Sequence, residues 1–239
     1  MNKIKNIVYY SYLLLGIILF QSIELAAQPK QIIDKLWDAA GGKNTWEETN
    51  YIMFSVTGNN QHASISGARK FLLDKKSGNV RFEGVLNNTH VVALFNVQQQ
   101  KLHHVFDENG KEIVNQEFKN LLSDLITQYQ VDLKVLSLPV SMISSQLDND
   151  TESKLWNAEK LQKIAFQNFN GEKGSIYINE ETGLIKRLDI GNRSYLVNGY
   201  KDIGNGLILP TTFKASTDSI NYQKVASFTD MEQAKFSQF

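Results

Sequence analysis

Two blocks of strand-like sequence, residues 51–106 and 161–228, are split by one stretch of helical period, and this division limits the possible folds. In the first block Tyr51–Thr57, Gly67–Asp74, Asn79–Gly84, Thr89–Val97 and Lys101–Phe106 are alternating or continuously apolar. Asn59-Asn60, Lys76-Ser77-Gly78, Asn87-Asn88 and Glu108-Asn109-Gly110 separate them with turn chemistry, the pattern of an antiparallel meander. The second block repeats this in Leu161–Phe169, Gly174–Asn179, Leu184–Ile190, Ser194–Tyr200, Leu207–Ala215 and Tyr222–Phe228. Its turns fall at Asn170-Gly171, Glu181-Thr182-Gly183, Gly191-Asn192 and Asn205-Gly206, and the Asn-Gly pairs favour tight hairpins. The sum is about eleven strands in a mainly β chain. Leu184, Lys186, Leu188 and Ile190 form a more apolar row than Ile185, Arg187 and Asp189, which predicts a sheet with one wet face.

Between the blocks Phe118, Leu121, Leu122, Leu125, Ile126 and Tyr129 step by three and one. Lys119, Asn120, Ser123, Asp124 and Gln128 fall between them, so the segment predicts an amphipathic helix. Val131–Leu138 reads as a connecting strand or helix, and Pro139 as the opening of a short helix carrying Val140, Ile143 and Leu147. A further helix is expected at Gln31–Ala40, where Ile32, Ile33, Leu36, Trp37 and Ala40 share a face and Gly41-Gly42 follows as a cap.

The N-terminus has the order of a secretory signal peptide: Lys3 and Lys5, an apolar run from Ile7 to Phe20, then Leu25-Ala26-Ala27. Residues 1–27 are expected to be removed, leaving residues 28–239 as one periplasmic, soluble domain. The apolar run, about 14 residues long, falls short of the roughly 20 that span a bilayer, so no transmembrane segment is expected in the mature chain. Cleavage there leaves 23 basic and 24 acidic residues, a net charge of about −1. That balance gives no electrostatic reason to expect nucleic acid as a partner. The chain has no cysteine. Disulfides and attachment of lipid to an N-terminal cysteine are excluded, and stability must come from the core.

Catalytic and metal chemistry find little support. His103 and His104 are adjacent on an expected strand and point to opposite faces, and His62 and His90 stand alone. Asp148, Asp150, Glu152 and Glu159 fit a calcium-loop register, but Ser153 replaces the turn glycine and Lys154 stands at a ligating position. A polar turn leading into a short helix at Ser153–Lys160 explains the same residues. No serine sits in a G-x-S-x-G elbow, and no glycine-rich loop has phosphate-binding spacing. The expectation is a protein that is not an enzyme and has no metal site and no cofactor.

Three segments carry a resemblance. Ile32–Trp46 reads I-I-D-K-L-W-D-A-A-G-G-K-N-T-W, Gly174–Asp189 reads G-S-I-Y-I-N-E-E-T-G-L-I-K-R-L-D, and Gly206–Lys214 reads G-L-I-L-P-T-T-F-K. In this order they resemble the LolA-like family of periplasmic lipoprotein carriers, with its relatives LolB and the RseB sensor domain. Leu138-Pro139-Val140-Ser141-Met142 is similar to an element before the second central helix in Bacteroidetes-type members. The resemblance implies an unclosed antiparallel β-barrel whose apolar concave face is covered by helices, making a pocket for acyl chains. It also implies a gating arginine on an early strand, for which Arg69 and Arg81 are both candidates.

A curved sheet with one apolar face must be covered by helices or by ligand. The residues expected to line a hydrophobic site are therefore Phe54, Val56, Phe71 and Phe82 on early strands, Phe118, Leu121, Leu122 and Leu125 on the covering helix, and Met142. The helical stripe reads equally as core and as lid. The role expected is an exported carrier of a lipid, an acylated protein or another hydrophobic ligand, with outer-membrane lipoprotein sorting as one form of it. Its partners would be lipoproteins or another envelope protein. The alternative is an envelope sensor or partner-binding domain without transport.

Overall fold

The computed structural model describes residues 30–58, 61–114 and 116–239. The expected export signal at residues 1–27 lies outside them. Residues 30–39 form a helix, α1, and Lys43–Glu48 a second, α2. Five strands follow: β1 (Tyr51–Gly58), β2 (Ile65–Asp74), β3 (Asn79–Leu86), β4 (Thr89–Asn96) and β5 (Lys101–Phe106). Three helices come next, α3 (Gln116–Asn120), α4 (Leu122–Leu136) and α5 (Leu138–Ile143). The remaining strands are β6 (Leu147–Trp156), β7 (Glu159–Phe169), β8 (Glu172–Asn179), β9 (Ile185–Ile190), β10 (Arg193–Asn198), β11 (Lys201–Asp202), β12 (Ile208–Leu209), β13 (Thr212–Lys214) and β14 (Ser219–Phe228).

Twelve of these strands form one antiparallel sheet in the order β5-β4-β3-β2-β1-β14-β13-β10-β9-β8-β7-β6. The sheet is joined at its middle, where β1 pairs with β14 from Tyr51 opposite Phe228 to Gly58 opposite Ile220. Its two edges are β5 and β6, which are consecutive in the chain and do not pair with each other. The barrel is thus unclosed, and the connection between its edges is the helical segment itself. Because α3, α4 and α5 run from one edge to the other, their apolar sides meet the concave face, in one core shared with both halves of the sheet.

That core explains the alternation. On β1 Ile52, Phe54 and Val56 are fully buried, and on β7 and β8 Ile164, Phe166, Ile176 and Ile178 do the same. Each such side chain contributes about 1.5–3 kcal/mol over leaving it in water. On the outer face Tyr51 and Leu72 pack with Phe236 of a C-terminal turn, Gln233–Phe236. The main chain of Gln238 accepts a bond from Arg81 Nη1 at 2.8 Å. A C-terminal strap therefore covers the outside of the early strands, whereas the outside of β6 to β10 carries polar residues such as Lys163, Arg187 and Ser194.

Close backbone approaches seat α1. Gly41 has φ +90°, and a Cβ there would lie 1.9 Å from the carbonyl oxygen of Gly206. Gly183 has φ +70°, and its Cβ would lie 2.6 Å from the carbonyl oxygen of Lys35. Only glycine combines that dihedral with that contact. The three segments that carry the family resemblance thus meet in space, and Ile208 N–H donates to Ala40 O at 3.0 Å at the same junction.

Several expectations need correction. Ser153–Lys160 is not a helix: it is the end of β6, a tight turn at Asn157 and Ala158, and the start of β7. Leu147 opens β6 instead of closing a helix, and Val131–Leu136 continues α4. The Leu138–Met142 element forms α5 itself and does not precede it. The expected strand Leu207–Ala215 is cut at Pro210, which has no N–H for a ladder, into β12 and β13; β12 pairs with β11 outside the main sheet. An irregularity between Tyr177 and Ile178 in the β8–β9 pairing places Ile185 and Leu188 inward together, so Lys186 does not share their row.

Candidate functional site: the concave interior and its helical cover

The nine residues selected from sequence come together on the concave side. Phe54, Val56, Phe71, Phe82, Leu125 and Met142 have no exposed surface, Phe118 retains 6%, and Leu121 and Leu122 are half-buried beside them. The rings form a continuous chain, with Phe54 to Phe71 at 5.4 Å, Phe71 to Phe82 at 5.3 Å and Phe71 to Tyr129 of α4 at 5.7 Å. In the early half of the interior these side chains are buried against one another.

Open space lies in the other half. A cavity of about 380 Å³ runs under α4, lined by Val131 and Val135 of that helix and by Leu188, Ile190, Tyr195, Phe213 and Ile220 of the sheet. Phe169, Asn170, Glu172, Asn192 and Arg193 complete the lining. None of the nine lines this cavity. Its own lining was harder to read, because β13 is only three residues long and the β9 alternation is interrupted.

A buried ion pair joins cover to sheet. Arg69 of β2 donates from Nε to Asp132 Oδ2 and from Nη2 to Asp132 Oδ1 of α4, both at 2.6 Å, and neither side chain is exposed. The two parallel bonds are the geometry in which a guanidinium holds a carboxylate most firmly. Gln128, one turn earlier, donates to Asp132 Oδ2 at 3.0 Å, and its Oε1 accepts from the backbone N–H of His62 at 2.6 Å. Ser64 Oγ donates to Asp124 Oδ2 at 2.9 Å, so the segment before β2 is tied to the start of α4 as well. Tyr222 donates to the backbone oxygen of Asp132 at 2.8 Å; burial, helped by the Asp132 charge, pushes its phenol well above the ordinary range.

Of the two candidate arginines, Arg69 therefore faces the interior. A shift in the β2–β3 register between Ser66 and Lys70 accompanies Gly67 at φ +70°, and from there Arg69, Phe71 and Leu73 share the inner face. Arg81 faces out, bonded to Glu83 at 2.8 Å and to the strap. Asp132 was not selected from sequence. Its signal was there: it lies seven residues after Leu125 and three after Tyr129, so a carboxylate continues the apolar stripe. Gln128, read as part of the polar side, also lies on the buried face.

The residues of the calcium register lie along extended strand, where Asp148 accepts from Gln167 Nε2 at 3.0 Å. Among the described residues no three histidine or carboxylate side chains gather to hold a metal ion. His104 lies 2.7 Å from Glu112 as a surface pair. No helix among the described residues is long and apolar enough to cross a membrane.

No protein-family model matches the chain, and no curated protein matches its sequence. Two solved structures are similar in arrangement. One is a domain named for outer membrane lipoprotein sorting from Vibrio parahaemolyticus, 8% identical, with a TM-score of 0.35 over 81% of this chain and 93% of that one. The other is a DUF1329 family protein from Desulfovibrio piger, 11% identical, with a TM-score of 0.40 over 84% of this chain and 95% of that one.

Proposed function

We propose that this chain is an exported, periplasmic binding protein that carries a hydrophobic ligand, a lipid or the acyl chain of a lipoprotein, on the concave face of its open barrel. The observation that carries the reading is the cavity of about 380 Å³ between α4 and the sheet, lined by apolar side chains of both together with Asn170, Glu172, Asn192 and Arg193. Its size falls within the roughly 300–1,000 Å³ of small-molecule sites. Export rests on the N-terminal pattern, and sorting of lipoproteins on the resemblance of the three motif segments.

The mechanism follows from the unequal halves. Entry of a chain into the cavity requires only that α4 yield near Val131 and Val135. Access to Phe54, Phe71 and Phe82 requires that α4 leave the sheet, which separates Asp132 from Arg69. In this reading the ion pair holds the early half shut, and the nine residues become ligand contacts only when it parts. A buried pair suits a latch, because its geometry is specific while its net stabilisation is small.

Mass spectrometry of organic extracts from the purified protein tests the reading, together with displacement of an environment-sensitive fatty-acid probe. Extractable lipid and saturable displacement are expected. An empty protein with no saturable binding would sink the carrier role.

A second reading, a partner-binding domain without transport, is favoured by one feature. Strand β6 is a sheet edge ten residues long, largely exposed on both faces, and its penultimate residue, Leu155, is 77% exposed. A partner's strand could pair there.

A further inference from the structure

The two edges of the open sheet are not alike. Beyond β5 the chain folds back on itself: Phe106 pairs with Glu112, and Ile113 N–H donates to Val105 O at 2.7 Å. Strand β6 has β7 as its sole neighbour in the sheet, so alternate backbone N–H and C=O groups along it face outward. Its first half is irregular, with a register shift between Leu147 and Thr151, and carries Asp148 and Asp150. Bulges and like charges of this kind keep an edge from pairing. The second half lacks both devices. Its ladder is regular from Thr151 opposite Ile164 to Trp156 opposite Glu159, and its charges differ in sign, Glu152 and Lys154 pairing with each other along one face. Their side chains are 56% and 46% exposed, and Leu155 stands out from the other face.

This half of the edge is complementary to itself, because Glu152 and Lys154 stand one on each side of Ser153. We propose that two copies of the chain associate weakly through β6, antiparallel about Ser153, so that the sheet of one copy continues into the other. In that register Glu152 lies opposite Lys154 of the second copy, and Lys154 opposite its Glu152, on the convex face. Lys163 of β7 stands on the other side of Glu152, so positive and negative side chains alternate across the joint. On the concave side Leu155 lies opposite Thr151 of the second copy, whose next neighbour is Ile164, and the exposed leucine is covered. Other centres fit less well. Pairing about Glu152 or Lys154 sets like charge against like, and pairing about Thr151 sets Glu152 against Asp150. Pairing about Leu155 overlaps only the end of the strand, which stops at Trp156. A two-fold joint of this kind closes after two copies. Pairing from Asp150 to Trp156 alone is smaller than the roughly 1,200–2,000 Å² of stable complexes, so association is expected only at high concentration. The inference gives the free edge an occupant and does not depend on ligand carriage.

Sedimentation velocity of the purified protein, from micromolar to millimolar concentration, is the first measurement. A monomer–dimer equilibrium is expected, weakened by added salt. Glu152→Lys should raise the dissociation constant by about tenfold or more, since each joint loses two attractions and gains two repulsions. Glu152→Lys/Lys154→Glu, which exchanges the signs, should restore most of the affinity. Both positions are exposed, and circular dichroism confirms that the variants fold. The chain has no cysteine, so Ser153→Cys carries a single thiol. That thiol faces its own counterpart across a Cβ separation of about 5 Å and is expected to yield a covalent dimer on oxidation. Thr151→Cys, which faces Leu155 of the second copy and not its own counterpart, is not. A protein monomeric throughout, or a dimer indifferent to Glu152→Lys, overturns the proposal and leaves β6 to a strand of a different protein. A dimer lost in Glu152→Lys and not regained in the double variant, or cross-linking no better at 153 than at 151, overturns the register about Ser153. Fatty-acid probe titrations on the same samples judge the carrier reading separately.

Discussion

Arg69 and Asp132 stand 63 residues apart in the chain, yet share two bonds of 2.6 Å with no exposed surface on either side chain. Their coupling can be separated from the cost of burying them. Arg69→Met alone should destabilise the fold by about 3–5 kcal/mol, because it strands a buried carboxylate. The double variant Arg69→Met/Asp132→Leu should recover most of that loss. Urea unfolding of the four proteins in the cycle measures both. A double variant as unstable as the single one would show that the pair does more than neutralise itself.

The two halves of the interior should respond differently to truncation. Leu125→Ala in the filled half is expected to cost about 2–5 kcal/mol, as core deletions do. Ile190→Ala at the cavity is half-exposed already and should cost less, while weakening fatty-acid probe binding. Paired denaturation and probe titrations decide which residues touch ligand in the resting state. Leu125→Asp places a charge in the filled half, outside the cavity lining; undiminished affinity in a folded Leu125→Asp protein is expected if ligand stays in the cavity beside Val131 and Val135, and lost affinity would show that it reaches the early half.

Gly183 sits where a side chain has neither dihedral nor space. Gly183→Val is expected to destabilise by more than about 1 kcal/mol, since φ is +70° and Lys35 O lies 2.6 Å from the added carbon. Thermal melts check this, and a neutral result would mean that α1 can retreat without loss.

Lys75 provides a pH signature. Its ammonium lies 4.1 Å over the Trp46 ring and donates to Trp46 O at 2.5 Å. Burial nevertheless lowers its pKa to about 8 from 10.5, against the opposing charge of Glu47. The folded state thus resists protonating this group, so its penalty is fully present below pH 8 and disappears as pH rises from about 8 through 10.5. Lys75→Met should remove that upward trend. Stability measured at intervals from neutral to alkaline pH, wild type against variant, shows whether the difference has this sign.

Much of the sheet was legible because period-two alternation reports directly on a strand with one buried face. β1 to β5 and β7 to β9 fall where residues such as Phe54, Phe71 and Ile176 alternate with polar neighbours. β6 was missed for the converse reason: Asp148, Asp150, Glu152 and Lys154 lie on a strand that buries neither face, so no apolar rhythm marks it. It exists because β7 supplies a ladder of backbone partners, from Thr151 opposite Ile164 to Trp156 opposite Glu159. The interior was legible as composition but not as occupancy. Phe54, Phe71 and Leu125 were correctly placed together, yet whether they enclose space depends on how Tyr129 fits between them. The ion pair was half legible: Arg69 was one of two candidate arginines, but nothing chose it over Arg81 or pointed to Asp132 until the register shift at Gly67 and the turn of α4 bring the two together.

The joint between β1 and β14 has a consequence for how the chain reaches this state. Each half of the sheet is a meander of neighbours, and such local pairings form early and quickly. The seam between the halves is different: Tyr51 must find Phe228, and the intervening loop-closure entropy is met only once both meanders exist. The zipping of the first strand onto the last is thus the pairing of greatest sequence separation and is expected to be the slow event, and it cannot be complete before synthesis has passed Phe228. Until then β1 and β13 each present a bare strand flank, so loss of the last strand would unpair both halves at once.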